Sequence, residues 1–377
     1  MELMFIFFVL ILLFYSYFII KLIIGFDKIK IFNAVDKSPK TTFSIIVPFR
    51  NEEKKLPHLL KSLSKLNYPK DLFEIIVIDD NSKDKSALIF NDWRMKNGLI
   101  QTTLLNNLRL SNSPKKDAIM RAVPVIKNQW IITTDADCVV KKNWLSTIDN
   151  FIQKNNTEMV VGGIIYKVKN NWFHRFQQLD LLSLQATTIG SFGIKKPFMC
   201  NGANFAYTKE LFQKIGGFNT DNAIASGDDV FLLQKAVAQF PEKVHYLKNI
   251  EATVTTNPEN NLHKLFMQRV RWASKTTSYS NSYAKTLAVV VLLMNFILVA
   301  GFVLFLFNAI YWKFLICLFF VKFILDYILL LKSATFFTKN KLLFVFASGF
   351  IYPVFVSVVG IYSLVGNYTW KGRVFKK

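Results

Sequence analysis

Apolar residues are concentrated at the two ends of this 377-residue chain, whereas the middle of the chain mixes apolar and polar positions. One apolar run covers residues 3–26, and three more cover residues 286–308, 311–331 and 342–366. Each run has the length of about 20 residues that a helix needs to cross roughly 30 Å of hydrocarbon. The pattern therefore predicts membrane helices at both ends and a water-soluble domain between them.

Four parts follow from this pattern. Because the first apolar run lacks a basic start and a small-residue cleavage site, we interpret it as a retained anchor rather than a signal peptide. The central part is long enough to bury the core of one sizeable domain. The predicted parts are an N-terminal anchor at 1–26, a central domain at 27–285, a membrane region of about three apolar segments at 286–366 and a basic tail at 367–377.

Lysine residues near the first apolar run predict the orientation of the chain in the membrane. The positive-inside rule places the central domain on the cytoplasmic face, and we expect an integral protein of a bacterial inner membrane. Three further spans would leave the basic tail on the opposite face, unless breaks at Gly349 and Pro353 create a re-entrant or interfacial hairpin that returns it. The lysines are Lys21, Lys28, Lys30, Lys37 and Lys40.

Within the central part, short apolar runs alternate with helix-like stretches. Asn51 is expected to cap the first helix, and Pro124 to disturb the last turn of the third. Alternation of this kind predicts βαβ units and a mostly parallel sheet. Strands are predicted at 43–48, 73–78, 101–105 and 130–134, and helices at 52–66, 86–96 and 115–126.

The composition excludes some classes of partner. The formal net charge is +22, but the lysines are scattered and no nucleic-acid-binding motif accompanies them, so we expect no nucleic acid partner. Anionic lipid headgroups are the expected partners of these cations. Cys138, Cys200 and Cys317 have neither a pairing pattern nor metal-ligand spacing, which indicates no disulfide framework.

Three acidic clusters carry the candidate chemistry. They are VIDDNSKD at 77–84, TTDADCVV at 133–140 and SGDDVFLL at 226–233. The first two follow predicted strands, and open α/β sheets bind ligands where strands end. This placement predicts a nucleotide-sugar and metal site.

Six motifs together resemble, in order, those of membrane-bound family 2 glycosyltransferases. The resemblance extends to cellulose, hyaluronan and poly-N-acetylglucosamine synthases and to ceramide glucosyltransferases, and it covers residues 41–272. It implies an α/β GT-A catalytic domain, Rossmann-like with a mostly parallel sheet, between N- and C-terminal transmembrane helices. Besides the three acidic clusters, the motifs are IIVPFRNEE at 45–53, MCNGANFAYTKELFQKIGGF at 199–218 and MQRVRW at 267–272.

The resemblance also implies a donor and metal site. Asp80 would contact the nucleobase. Asp137 would bind one Mg²⁺ or Mn²⁺ directly, and Asp135 would contact the ribose or the metal, although the two aspartates could instead belong to a simple turn. Lys115 lies in PKKDAI, where the family usually has a Gly-Lys pair, so either Lys115 or Lys116 could reach a phosphate. The implied nucleotide-sugar-binding residues are Pro48, Arg50, Glu52, Asp80, Lys115, Asp135 and Arg271.

An acceptor site is implied in the same way. Asp229 would be the base that removes a proton from the acceptor hydroxyl, as inversion requires. Asp228 replaces the glutamate usual in the family, so its contact with the acceptor is an open point, and it could also cap the next helix. The implied acceptor-binding residues are Cys200, Gly202, Asn204, Asp228, Gln268 and Trp272.

The expected function is therefore transfer, with inversion, of one or a few sugars from a nucleotide sugar to a lipid-linked or membrane-proximal acceptor. A UDP-sugar is the expected donor. Two alternatives stay open: a processive polysaccharide synthase that makes a β-linked polymer, and a non-catalytic membrane scaffold that binds sugar nucleotides.

Lys322 and Asp326, one turn apart in an apolar run, are interpreted as an ion pair that neutralises itself.

Overall fold

The computed structural model describes residues 2–35, 37–218, 227–338 and 342–375. Its contacts separate two compact units. Ser226 of the third acidic cluster lies outside the described residues, as do the last two lysines of the predicted basic tail. The helical unit is formed by Met1–Ile29, Val168–Lys196 and Pro258–Lys377, and the sheet unit by Lys30–Lys167 and Pro197–Asn257.

The described residues form eleven β-strands in three sheets. Seven strands form the main sheet of the sheet unit, in the order β3-β2-β1-β4-β7-β5-β8. The strands are β1 (Phe43–Phe49), β2 (Phe73–Asp79), β3 (Gln101–Asn106), β4 (Trp130–Thr133), β5 (Met159–Gly162), β6 (Ile164–Tyr166), β7 (Phe205–Thr208), β8 (Val244–Leu247), β9 (Val254–Thr256), β10 (Tyr368–Trp370) and β11 (Arg373–Phe375).

Twelve α-helices occur in the described residues. They are α1 (Glu2–Lys28), α2 (Leu56–Leu63), α3 (Ser86–Lys96), α4 (Pro114–Ala122), α5 (Trp144–Lys154), α6 (Trp172–Gly193), α7 (Lys209–Lys214), α8 (Asp228–Gln239), α9 (Leu262–Ala273), α10 (Ser282–Leu306), α11 (Trp312–Phe337) and α12 (Val345–Val365).

The main sheet is mostly parallel, which confirms the fold expected from strand and helix alternation. Strand β1 pairs in parallel with β2 and β4, and β2 pairs in parallel with β3, whereas β7 runs antiparallel to β4 and β5. Strands β1 and β2 are buried along nearly their whole length, as their continuous apolar runs predict for a parallel sheet covered on both faces. Pro48 is tolerated in β1 because pairing with β4 has already ended at Ile46.

Two local predictions need correction. The first helix begins at Leu56 rather than at residue 52, and Asn51 does not cap it, because Asn51 has a φ of 52° and accepts a hydrogen bond from the backbone of Lys83 at 2.8 Å. These contacts tie the loop after β1 to the loop after β2. The third predicted helix, at 115–126, instead spans Pro114–Ala122, and a 3₁₀ turn that contains Pro124 takes the place of its last turn, where Pro124 was expected to disturb it.

Four helices of the helical unit are long and apolar enough to cross a membrane: α1, α10, α11 and α12. Helix α1 runs parallel to α11, since Phe5 packs on Phe314 and Asp27 pairs with Lys332 at 2.7 Å. Helix α6 packs closely on α1 at Gly25, where a Cβ would lie 2.2 Å from the carbonyl oxygen of Gly190. Small residues permit such close backbone approach between helices.

The last apolar run is not broken as predicted. Helix α12 continues through Gly349 and Pro353 to Val365. The hairpin of β10 and β11 follows it, and the Trp370 ring of this hairpin lies 5.3 Å from the guanidinium carbon of Arg271 in α9. The described end of the chain therefore returns to the helix that precedes α10, although no break occurs within α12.

Lys322 and Asp326 form the expected ion pair within α11, at 2.8 Å. The pair also has contacts with other helices, because Tyr15 of α1 donates a hydrogen bond to Asp326 and the Lys322 ammonium lies 5.5 Å from the ring of Tyr352 in α12. It therefore links three helices of the unit and is more than a local pair.

Candidate functional site

Arg50, Asp80 and Asp135, three of the predicted site residues of the sheet unit, lie where β1, β2 and β4 end. Asp80 follows β2, and Asp135 lies two residues after β4, with the end of β1 between them. Arg50 comes directly after β1, and its guanidinium donates to the backbone carbonyls of Asp80 and Asn81, at 2.6 and 3.0 Å. Arg50 is therefore a link between the loops that follow β1 and β2.

Glu52 is the other predicted residue of the first loop. It is buried, and its backbone N–H donates to the hydroxyl of Ser86 at 2.8 Å. Because Ser86 begins α3, the loop after β1 is attached to the element that follows β2. Asp79, the last residue of β2, accepts from the backbone N–H of Ser82 at 2.8 Å and so holds the loop that follows the strand.

The Asp80 carboxylate is buried and has two polar neighbours from the loop after β3. Asn107 donates to it at 2.9 Å, and the guanidinium of Arg109 lies 3.8 Å from the same oxygen. Arg109 also lies 3.9 Å from Asp117, which itself accepts from the backbone of Leu110 and Ser111. A firmly held loop therefore closes one side of Asp80.

Helix α4 connects this region with Asp135. At its first residue, the Pro114 carbonyl accepts a hydrogen bond from Asn107 at 3.1 Å. At its second residue, the Lys115 ammonium pairs with Asp135 at 2.6 Å. Lys116 instead lies in the buried interior near the ring of Phe231, so Lys115 is the lysine that reaches the strand ends.

Asp229 belongs to the same group of side chains. Its carboxylate accepts from the backbone N–H of Gly202 at 2.6 Å. A Cβ added to Gly202 would lie 3.0 Å from the Lys115 nitrogen and 3.4 Å from an Asp229 oxygen, so the absence of a side chain there permits the approach. Thr133 at the end of β4 holds Gly202 by a hydrogen bond to its carbonyl at 2.7 Å. We term Lys115, Asp135, Gly202 and Asp229 the strand-end cluster.

The charge of Lys115 follows from its surroundings. Burial alone would lower the pKa of its ammonium group, but the carboxylates of Asp135, Asp228 and Asp229 outweigh burial and hold the pKa well above its ordinary value. A raised pKa means that the group stays protonated throughout the physiological range. The cluster therefore has one permanent cation beside its two carboxylates, with the Asp228 carboxylate also near it.

Asp228 and Asp229 occupy the first turn of α8, after Gly227. Asp228 is the first helical residue rather than the cap, since Gly227 holds the capping position with a φ of 96°. A helix N-terminus favours carboxylates, because its partial positive charge faces them. Burial and the nearby Asp228 carboxylate raise the pKa of Tyr207, which keeps that phenol neutral.

Asp137 is the less open of the two aspartates in the second acidic cluster, with its side chain 28% exposed against 41% for Asp135. Lys55, just before α2, pairs with Asp137 at 3.3 Å, and the Lys55 side chain is 46% exposed. In the described part of the chain, no group of three or more His, Cys, Asp or Glu side chains is arranged to hold a metal ion. A cation at Asp135 and Asp137 would therefore need further oxygen ligands from water or substrate.

Asn204 does not lie where a residue that binds the acceptor sugar is expected. Its side chain is buried, and its amide donates to the carbonyls of Gly163 and Ala252, at 2.8 and 2.7 Å. Its amide oxygen accepts from the indole of Trp144 at 3.0 Å. Since both amide hydrogens are used inside the fold, the prediction that Asn204 donates to a sugar is wrong. Cys200 is buried in the same segment.

The predicted residues Gln268, Arg271 and Trp272 lie on α9 of the helical unit. Gln268 donates to the Glu259 carboxylate at 3.0 Å, and Arg271 lies against the ring of Trp370. One face of the Trp272 ring is covered by the guanidinium of Arg269, at 4.3 Å. The motif therefore has a dense set of contacts within its own unit.

Sequence reasoning missed Asn107, Arg109 and Lys55. A signal existed for the first two, because residues that follow a third parallel strand lie at the same sheet edge as Asp80. No such signal marked Lys55, which is one of 47 basic residues.

A cavity of about 660 Å³ lies elsewhere on the sheet unit. Its lining includes Tyr68 and Pro69 before β2 and Asn143 and Asn150 of the α5 region, and it includes none of the predicted site residues. The strand-end cluster is thus distinguished by its charges and not by this cavity.

Comparison with known proteins agrees with the geometry. Residues 44–216 match the family model described as Glycosyl transferase family 2. The chain is 31% identical over 119 residues to the poly(ribitol-phosphate) beta-N-acetylglucosaminyltransferase TarS of Staphylococcus aureus, which is 32% of this chain and 20% of that protein. It is 26% identical over 236 residues to the beta-monoglucosyldiacylglycerol synthase of Nostoc sp., which is 61% of this chain and 48% of that protein.

The fold has a relative among solved structures. It is similar to the mannosyltransferase PcManGT from Pyrobaculum calidifontis, solved with GDP-Man and Mn²⁺, with a TM-score of 0.55, 16% identity and coverage of 94% of each chain. The chain spans only about a fifth and about a half of the two curated relatives named above. With its mostly parallel sheet and its ordered motifs, this chain contains a glycosyl transferase family 2 domain.

Proposed function

We propose that the protein is a metal-dependent, inverting glycosyltransferase that moves a sugar from a nucleotide-sugar donor to a lipid-linked or membrane-proximal acceptor. One observation carries the proposal: at the carboxyl ends of the strands, Lys115 pairs with Asp135 and lies beside Gly202, whose backbone N–H donates to the Asp229 carboxylate. Asp80 is connected to the same helix through Asn107. Ligands of open α/β sheets bind at this edge.

The Asp80 region suits a nucleobase. Its buried carboxylate accepts hydrogen bonds, and uracil has a ring N–H that can donate one. Arg50, which bridges the first two loops, holds this edge in a fixed shape before a ligand arrives. We therefore propose a UDP-sugar donor, with Pro48 and Glu52 in the wall of the base and ribose site.

The donor set of Asp135 and Asp137 fits a divalent cation. Magnesium is held in many transferase sites by one or two carboxylates together with substrate phosphates and water, so a cluster of three protein ligands is not required. When bound, Mg²⁺ or Mn²⁺ neutralises the diphosphate leaving group. Lys55 and Lys115 now pair with these carboxylates, and the less exposed Lys115 could turn to a phosphate oxygen once the carboxylates bind a cation.

Asp229 is proposed as the general base. The N–H of Gly202 donates to one carboxylate oxygen, and the backbone of Val230 donates to the other at 2.9 Å, so the carboxylate has a fixed direction. It takes the proton of the acceptor hydroxyl while that oxygen attacks the anomeric carbon opposite the diphosphate. The new glycosidic bond therefore has inverted configuration.

The acceptor side rests on the membrane helices and on the relatives. Helices that are able to cross a membrane would keep the enzyme, with its sheet unit on the cytoplasmic face, close to lipid substrates. The Nostoc relative is named for a glucosyldiacylglycerol product and the Staphylococcus aureus relative for a polymer acceptor. We propose transfer of one or a few sugars, with Cys200, Gly202, Asp228, Gln268 and Trp272 on the acceptor side.

The test measures release of UDP from a panel of UDP-sugars by purified protein in native lipid. Asp229→Asn should lower kcat by about 10²–10⁴-fold, the usual contribution of a general base, with little change in donor KM. Equal rates in parent and variant would remove Asp229 from the mechanism. A scaffold without catalytic activity predicts no release by either protein.

Two further measurements separate the finer parts of the proposal. EDTA should abolish activity, and Mg²⁺ or Mn²⁺ should restore it; full activity in EDTA would contradict the assignment of Asp135 and Asp137 to a metal. A ladder of long polymers among the products would favour the processive alternative over single transfer.

A further inference from the structure

Arg269 follows Gln268 in the MQRVRW motif at 267–272, and its side chain contacts three other side chains. Its guanidinium donates to the carboxylate of Asp180 and to the side-chain oxygen of Gln268. The same group lies over Trp272, with its carbon 4.3 Å from the ring centre. Trp272 is one turn further along α9, where side chains three residues apart are neighbours.

Helix α6 anchors this arrangement at two points. Asp180 pairs with Arg269 and also accepts a hydrogen bond from Tyr352 of α12 at 3.2 Å. One turn earlier, Gln177 exchanges two hydrogen bonds, at 3.0 and 2.8 Å, with the backbone of Glu259 just before α9. The Glu259 carboxylate in turn accepts from Gln268. Helix α6 is thus attached both to Glu259, just before α9, and to Arg269 within α9.

Stability alone is a poor explanation for this buried pair. The side chains of Asp180 and Arg269 are 7% and 6% exposed, and at such burial the desolvation penalty of two charges can exceed their attraction. Apolar residues of similar volume would often stabilise the fold equally well. What arginine adds is a rigid fork of donors and a flat face, which lysine and apolar residues lack.

We infer that Arg269 is a positioning residue, which fixes the side-chain directions of Gln268 and Trp272 from an anchor at Asp180. The inference rests on the proposed function, in which Gln268 and Trp272 contact the acceptor. Arg269 itself touches neither substrate in this role. It acts through the two side chains that it orients.

The first test uses Arg269→Lys, which keeps a positive charge beside Asp180 but removes the flat face and the fork. We expect a kcat for UDP release that is about 10–100-fold lower, the effect of a small misplacement of a substrate-binding group. Donor KM should change less than twofold, and the melting temperature of the purified protein should be unchanged. A lower melting temperature with an unchanged kcat would assign Arg269 to stability only.

A double-mutant cycle with Trp272→Ala sharpens the result. If Arg269 acts through the indole, Arg269→Lys should cause little further loss once Trp272 is gone, so the two effects are far from additive. Losses that multiply would show that Arg269 acts by another route, and would overturn the inference.

A readout without catalysis separates this inference from the proposed function. In protein labelled with 5-fluorotryptophan, the fluorine resonance that disappears in Trp272→Phe belongs to Trp272. It should shift in Arg269→Lys, because the guanidinium no longer covers the ring, whatever the protein catalyses. An unchanged resonance would overturn the inference even if Asp229→Asn is inactive.

Arg175→Lys is the matched control. Arg175 also belongs to the helical unit, but its guanidinium donates to Gln178 at 3.0 Å within α6. The Trp272 resonance and kcat should both stay at parent values in this variant. A shift as large as that of Arg269→Lys would mean that the resonance reports general disturbance of α6, and would overturn the assignment.

Discussion

The two units each contain a group of paired charges, and these groups differ in how far they are open to solvent. In the strand-end cluster, the Asp135 side chain is 41% exposed and Lys115 is 18% exposed. In the helical unit, Asp180 and Arg269 are almost fully enclosed. Asp180 also accepts a hydrogen bond from Tyr352, and Arg269 also donates one to Gln268.

This difference separates two uses of an ion pair. Charges at open strand ends can exchange partners, so a lysine that now holds a carboxylate can turn to a phosphate when substrate arrives. Enclosed charges cannot exchange without leaving one charge unpaired, which is costly. The first group therefore suits chemistry, and the second suits the fixing of side-chain direction.

The largest expected effect is on the enclosed pair. Asp180→Asn leaves Arg269 buried with reduced compensation, and removal of one partner of such a pair typically costs about 3–5 kcal/mol of unfolding free energy. Denaturant unfolding of the purified protein measures this loss. The double variant Asp180→Leu with Arg269→Met should recover most of the stability while activity stays low. Equal stability of parent and Asp180→Asn would contradict the comparison.

The open cluster should respond in the opposite way. Asp135→Ala is expected to lower kcat by about 10²–10³-fold, the cost of losing one electrostatic group of an active site. Because Asp135 is well exposed, the denaturant midpoint should stay close to that of the parent. UDP release and unfolding are measured on the same preparation. A variant that loses stability and keeps kcat would reverse the proposed use of this cluster.

Asn204 provides an intermediate case within the sheet unit. Asn204→Ala removes three buried hydrogen bonds and orphans the indole N–H of Trp144, so we expect a loss of about 2 kcal/mol in unfolding free energy. The KM for donor should be unchanged in the fraction that is folded. A large effect on kinetics with unchanged stability would instead restore Asn204 to the site.

The smallest expected effect is at the partly exposed pair of Lys55 and Asp137. Lys55→Ala removes the partner of Asp137, but exposed ion pairs contribute about 0–1 kcal/mol and are screened by salt. We expect unchanged stability and a kcat within about fivefold of the parent, the rate factor that corresponds to about 1 kcal/mol. Lys55→Gln controls for loss of the aliphatic stem. A much larger fall in kcat would indicate that Lys55 contacts the donor directly.

The fold was predictable to the extent that its signals are local. Apolar runs with β-branched residues predicted β1, β2 and β4 nearly to the residue, and the start of α3 at Ser86 was predicted as well. The start of α2 was not, because contacts of Asn51 and Glu53 with the loop after β2 hold the chain out of helical conformation up to Lys55. Such contacts join residues about 30 positions apart, which periodicity does not reveal.

The sequence by itself determined that Asp80 and Asp135 follow parallel strands, since alternation of short apolar runs and helices requires that arrangement and strand ends then share an edge. Tertiary structure alone decided that Lys115 rather than Lys116 reaches Asp135, that Asn204 turns inward, and that Arg269 joins Gln268 to Trp272. The reason is physical: the order of polar and apolar residues sets which element forms, but the rotation of each element against its neighbours sets which side chain meets which partner.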